Sequence, residues 1–253
     1  MKLSKLAIAV LTIALSASCS PQPPAAPTVP TPPTATPQPT PTPVPTPSAE
    51  DKAESARQRI RGLELRGRGR MPEAIAALQA SVELDPNNLG GHVILGWTLH
   101  LSGRETEAIA ALQGALARNA EFVPALNALG IVYLVGGNLD AAVATHLAAA
   151  ALNPANEIAH YNLSLAYQRL QQYDLAADSA RQATVLEPGN PHAWVALAIA
   201  HWSQNETAAA RQAYTRALQL DGRYASSAYL AHLRQAGFSA TQVQLSDRVR
   251  AAL

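Results

Sequence analysis

The stretch LGGHVILGWTLHLSGRETEAIAALQGALARNA, Leu89–Ala120, decides the fold. Apolar residues recur in it at helical spacing, first over 89–101 and again over 105–116, and Gly103 falls at the break between the two runs. The same layout returns along the chain: "LDP" ends at Pro86, "RNA" at Ala120, "LNP" at Pro154, "LEP" at Pro188 and "LDG" at Gly222, each 34 residues after the last. With places counted from the third residue after each such ending, place eight holds Gly62, Gly96, Gly130, Ser164 and Ala198. Place twenty holds Ala74, Ala108, Ala142, Ala176 and Ala210, and place twenty-seven holds Ser81, Ala115, Ala149, Ala183 and Ala217. Two antiparallel helices joined by a short turn approach closely only where neither carries a bulky side chain, so these small columns are read as contact points. Gly69, Gly103 and Gly137 fall at the turn between the helices, where glycine leaves the right-handed region cheaply.

A strict period of this length with two helices per unit resembles the tetratricopeptide repeat. The large residues at places seven and eleven agree, among them Leu95, Leu99, Leu129, Tyr133, Leu163, Tyr167 and Leu197, with His201 as a polar exception. The resemblance implies an all-α, right-handed α-solenoid of stacked antiparallel helix pairs, in which each unit buries its apolar face only by stacking on its neighbours. Residues 50–222 divide into five units, at about 55–88, 89–122, 123–156, 157–190 and 191–222. In the first, Arg61 replaces the usual leucine, so its first helix is expected to be looser. Residues 223–253 are expected to close the stack with capping helices: YASSAYLAHLRQAG reads as one more first helix, and Ser239–Leu253 as a polar closing helix capped by Ser239.

In this family the first helices line a concave groove through places two, five, nine, twelve and thirteen. Carried onto this chain, the resemblance makes Val93, Trp97, Ile131, Tyr161, Leu165, Ile199 and Trp202 the expected partner-binding residues, with His100, Asn127, Leu134, Gln168, His192 and Val195 beside them. Such an apolar, aromatic lining suits a peptide or helix that presents hydrophobic anchors. The chaperone-binding clamp known in some relatives needs Asn at place nine; here that place holds Leu63, Trp97, Ile131, Leu165 and Ile199, so the clamp is absent. Trp194, at place four, is expected to pack inside its repeat, whereas Trp202, at place twelve, is expected on the concave side. Arg57, Arg59, Arg61, Arg66, Arg68 and Arg70 crowd the first unit and read as a solvated helix face.

Upstream of the repeats, residues 1–18 read MKLSKLAIAVLTIALSAS, a basic start followed by a short apolar run and small residues, which is the layout of a secretory signal peptide. Cys19, the single cysteine, stands where a bacterial lipoprotein signal places the thiol that receives lipid, and Ser20 after it points to the outer membrane. Ser16 and Ser18 depart from that signal's usual residues, so simple cleavage near Ser18 remains the alternative. Residues 19–49 are a Pro/Thr-rich linker that cannot pack, with thirteen of the nineteen prolines lying between Ser20 and Pro47. As a polyproline-II spacer at ~3.1 Å per residue it reaches on the order of 85 Å.

The 253 residues are 48% apolar with a formal net charge of +1, which gives nucleic-acid binding little support. No metal-ligand spacing, glycine elbow around a serine or phosphate-cradling loop is present, so neither an enzyme, a metal nor a cofactor is expected. The expected function is a protein–protein interaction scaffold of the bacterial cell envelope, on the periplasmic side of a membrane, held there by lipid if Cys19 is modified and binding an envelope protein or peptide. The alternative is a self-associating structural protein without a dedicated groove.

Overall fold

The computed structural model describes residues 46–253. Ten α-helices form five antiparallel pairs: α1 (Ala49–Gly67) with α2 (Met71–Leu84), α3 (Leu89–Leu101) with α4 (Glu105–Leu116), α5 (Val123–Gly136) with α6 (Leu139–Leu152), α7 (Glu157–Arg169) with α8 (Tyr173–Leu186), and α9 (Pro191–Ser203) with α10 (Thr207–Leu220). Each second helix also packs on the first helix of the next pair, as α8 does on α9. From α3 onward, successive first helices touch one another directly, α3 with α5, α5 with α7 and α7 with α9, and no comparable contact joins successive second helices. The row of first helices is therefore the inner, closely spaced side of the solenoid.

The small columns are where the pairs meet. A Cβ built on Gly62 or Gly96 would lie 2.6 Å from Cγ of Leu78 or Leu112, so the place-eight glycine makes room for a large residue at place twenty-four. Ala74, Ala108, Ala142, Ala176 and Ala210 are all fully buried. At the turns inside the five pairs, one residue each takes the left-handed conformation: Gly69, Gly103 and Gly137 with φ of 74°, 74° and 91°, then Gln171 with 61° and Asn205 with 63°. The backbone demand is thus constant along the stack although the glycine is not.

Asparagine caps the first helix of three pairs, the side chains of Asn88, Asn156 and Asn190 accepting from the backbone N–H of Gly91, Ala159 and His192. In the same three pairs the ring at place four bonds back to the turn six residues earlier, a ring nitrogen of His92 and of His160 on the Pro86 and Pro154 carbonyls, and Trp194 Nε1 donating to that of Pro188 at 3.0 Å. Trp194 is consequently half-buried rather than enclosed in its repeat, because its ring must reach the turn. It borders a recess of about 520 Å³ between α9 and α10. In the first pair, where Arg61 is exposed, the helices are joined by a buried reciprocal bond: Ser55 Oγ donates to the Ser81 carbonyl and Ser81 Oγ to that of Ser55, both at 2.8 Å.

After α10 the chain does not form the further first α-helix its sequence suggests. Residues Gly222–Ala225 and Ser227–Ala236 are 3₁₀ helices, and α11 (Ala240–Ala251) follows, with Ser239 and Gln242 forming a capping box at its start. Within the second 3₁₀ helix, three residues per turn puts Leu230 and Leu233 on the same, buried face, and Tyr224 of the first is buried as well. The segment is pinned where it leaves α10, since Tyr214 Oη donates to the Tyr224 carbonyl at 3.1 Å and Tyr229 Oη to Asp221 at 3.2 Å. It then returns onto the first helices, so that α11 packs on α9.

Candidate interaction groove

Two parallel apolar stripes lie open on the inner face. Val93, Trp97 and Leu101 stand four residues apart on α3, and Asn127, Ile131 and Val135 stand at the same spacing on α5, so each set shares one side of its helix. Val93, Trp97 and Ile131 are half-buried, whereas Leu101 and Val135 are 52% and 51% exposed. Exposed aliphatics side by side on adjacent helices form a patch that water does not favour. Trp97 leans on His100, ring centroids 5.3 Å apart, and burial holds the His100 pKa below its usual value while Glu105 works against that shift. Asn127 belongs to the scaffold, since its amide and that of Asn156 exchange hydrogen bonds of 2.9 and 3.3 Å across to the next first helix.

The corresponding stripes on α7 and α9 are covered. Leu165 and Ile199, expected to line an open groove, are 1% and 0% exposed, and they share one core with Leu230, Leu233, Phe238, Leu245 and Val249 of the returning segment. Tyr161 Oη donates to the Ala236 carbonyl at 2.5 Å, and burial pushes its pKa well above the usual phenol range. Gln242 Nε2 donates to the Leu165 carbonyl at 3.0 Å, and Gly237 lies against the same leucine. Trp202 is half-buried against this core, so its removal would disturb packing as well as any contact. The expectation of one continuous groove from the second unit to the fifth is therefore corrected: Tyr161, Leu165 and Ile199 pack with the chain's own C-terminal segment and Trp202 lies half-buried against the same core, while Val93, Trp97 and Ile131 remain accessible. The physical reason is that the last turn of the solenoid is followed by an apolar segment long enough to fold back and bury the inner face.

Cationic groups frame the open patch. Arg59 and Arg66 stand on α1 at places five and twelve, and Arg66 Nη1 donates to Thr98 Oγ1 of α3 at 3.2 Å. On the other side, Arg169 of α7 donates to the Leu134 carbonyl of α5, and Arg234 of the second 3₁₀ helix donates to the Phe238 carbonyl. Burial and then the neighbouring Arg234 lower the Arg169 pKa from its very high usual value. His201, at a packing place, is bonded to Glu206. Among the described residues no group of three or more His, Cys, Asp or Glu side chains is placed to hold a metal ion, and no helix is long and apolar enough to cross a membrane. Cys19 lies outside the described residues.

Leu101 and Val135, the most exposed members of the patch, lie four residues beyond Trp97 and Ile131, and that spacing was the signal that could have found them. The covering of the second half had no signal in the repeat, because the residues that cover it lie outside the repeat.

Comparison with known proteins agrees with this architecture. The family model described as tetratricopeptide repeat matches residues 61–124, 106–157 and 161–228, together more than half of the chain. No curated protein matches it. Among solved structures, one titled as the crystal structure of MamA is 25% identical, with 65% of this chain and 96% of that one covered and a TM-score of 0.59. MamA from Desulfovibrio magneticus RS-1, from residue 41 to its end, is 21% identical, with 66% and 95% covered and a TM-score of 0.61.

Proposed function

The chain belongs to the tetratricopeptide repeat family, and from that membership we propose that it is a non-catalytic interaction scaffold that binds a partner peptide or helix on the open half of its inner face. The observation that carries the reading is the double stripe of Trp97, Leu101, Ile131 and Val135, apolar and accessible on two helices that the stack holds rigid. A surface ordered before the ligand arrives avoids the entropy of forming it, which favours recognition by a few apolar anchors. The signal-like residues 1–18 and the proline-rich linker support a place in the cell envelope, on the periplasmic side of the outer membrane, with Cys19 as lipid anchor and the linker as spacer.

Capture of partners from envelope extract by the full chain tests the groove, with Trp97→Ala combined with Ile131→Ala as the comparison. Both side chains are half-buried, so circular dichroism first establishes that the double variant keeps its helices. Partners lost with the variant support the reading, and an unchanged set of partners sinks it. The anchor is tested separately: Cys19→Ser should release the protein from the membrane fraction, and a variant that stays bound would remove lipidation from the account.

A further inference from the structure

The arginines of this chain fall into two groups. Six pair with a carboxylate two or three residues away, as Arg104 does with Glu107 at 2.6 Å and Arg70 with Glu73 at 2.9 Å. The other ten do not, and four of these stand around the open patch. Among the described residues Arg59, Arg66, Arg169 and Arg234 have no ion-pair partner, and the last three direct their guanidinium groups at a hydroxyl or at backbone carbonyls. No Asp or Glu stands at places two, five, nine, twelve or thirteen in any of the five units. Glu105, which approaches Gly136 and influences His100, belongs to the start of α4 at the rim. In a chain whose net charge is only +1, the inner face is thus apolar in the middle, cationic at both ends and without acidic side chains at the groove places of the first helices, Glu105 standing at the rim.

We propose that the open patch takes an amphipathic helix with an acidic polar face: its apolar side chains seat on Trp97, Leu101, Ile131 and Val135, and its carboxylates meet Arg59 and Arg66 at one end and Arg169 and Arg234 at the other. This rests on the groove reading above and adds the chemistry of the partner. The four arginines set positive charge on both sides of an apolar patch whose groove places hold no carboxylate, and charge complementarity of this kind decides which partner docks and how fast. Four first helices, α1 to α7, spaced at about 8–10 Å, span roughly 25–30 Å, which at 1.5 Å per residue corresponds to a helix of about 16–20 residues. The covered half of the same face already shows an apolar helical segment seated on it, held by Gln242 on the Leu165 carbonyl and by Phe238, Leu245 and Val249 in the core.

The test uses the full chain and two synthetic amphipathic peptides of about 18 residues with the same Leu and Phe stripe, one carrying Glu and the other Lys on its polar face. Fluorescence anisotropy should show the acidic peptide binding at least about tenfold more tightly, with the advantage shrinking as salt screens the charges. Arg59→Glu combined with Arg66→Glu should reduce that preference, and Arg211→Glu combined with Arg216→Glu on α10, an equal change in net charge, should leave it intact. Equal affinity for the two peptides, or equal effects of the two charge reversals, overturns the proposal. If the peptides bind equally and Trp97→Ala weakens both, the groove reading survives while the acidic partner does not. Binding that Trp97→Ala leaves unchanged, or no binding of either peptide, overturns both.

Discussion

His146 occupies place twenty-four, which Leu78 and Leu112 fill in the first two units, and it is fully buried against Gly130 with neither ring nitrogen hydrogen-bonded. Burial holds its pKa down at about 4, against 6.5 for the free side chain. The folded protein therefore binds fewer protons than the unfolded chain between those values. The stability that the neutral ring provides is complete above pH 6.5 and is lost as the pH falls toward 4, by on the order of 3 kcal/mol. His146→Leu should stabilise the fold by about 1–3 kcal/mol at neutral pH, since it removes an unmet donor and repeats a pairing already used twice. Urea denaturation at pH 7 and pH 5 should show a smaller acid loss in the variant, and an equal loss would assign the pH dependence to other groups. Gln171 offers a second test, because it holds φ at 61° where the first three units have glycine. Gln171→Gly should raise stability by about 1 kcal/mol through relief of the left-handed backbone, read as a higher Tm, and a lower Tm would mean that chain entropy outweighs the strain.

The helices themselves were legible in the sequence, since period, small columns and turn residues all follow from how closely two antiparallel helices must approach. The link between place four and the preceding turn was not, because it depends on a ring nitrogen reaching back to a proline carbonyl. Trp194 shows the consequence: expected inside its repeat, it is half-buried and donates to the Pro188 carbonyl. Trp194→Phe should lose this bond, about 1 kcal/mol, whereas Trp194→His can restore it as His92 and His160 do in their own units. Thermal denaturation of the two variants decides the matter: if histidine proves no better than phenylalanine, the ring is held by packing alone. The segment after α10 diverges further from its reading, because a run resembling a first helix forms two 3₁₀ helices parted at Ser226, with Leu230 and Leu233 on one buried face of the second.

For the whole molecule, the return of the C-terminal segment divides the inner face into a covered half and an open half. Truncation after Leu220 should expose Leu165, Val195 and Ile199, and the measurable result is increased binding of a hydrophobic dye together with oligomerisation in light scattering. A truncated chain that stays monomeric and binds no dye would show that the segment is not what keeps that face dry. The sequence by itself determined the solenoid, its five helix pairs, the inner position of Trp97 and Ile131 and the absence of the chaperone clamp. The helix pairs follow from local spacing, which a 34-residue period repeats until it is unmistakable, and the inner places and the missing clamp from the family resemblance that those pairs carry. The tertiary structure alone decided which half of the inner face is free. That depends on contacts such as Gln242 with Leu165 and Tyr161 with Ala236, whose partners are more than seventy residues apart and carry no shared pattern along the chain.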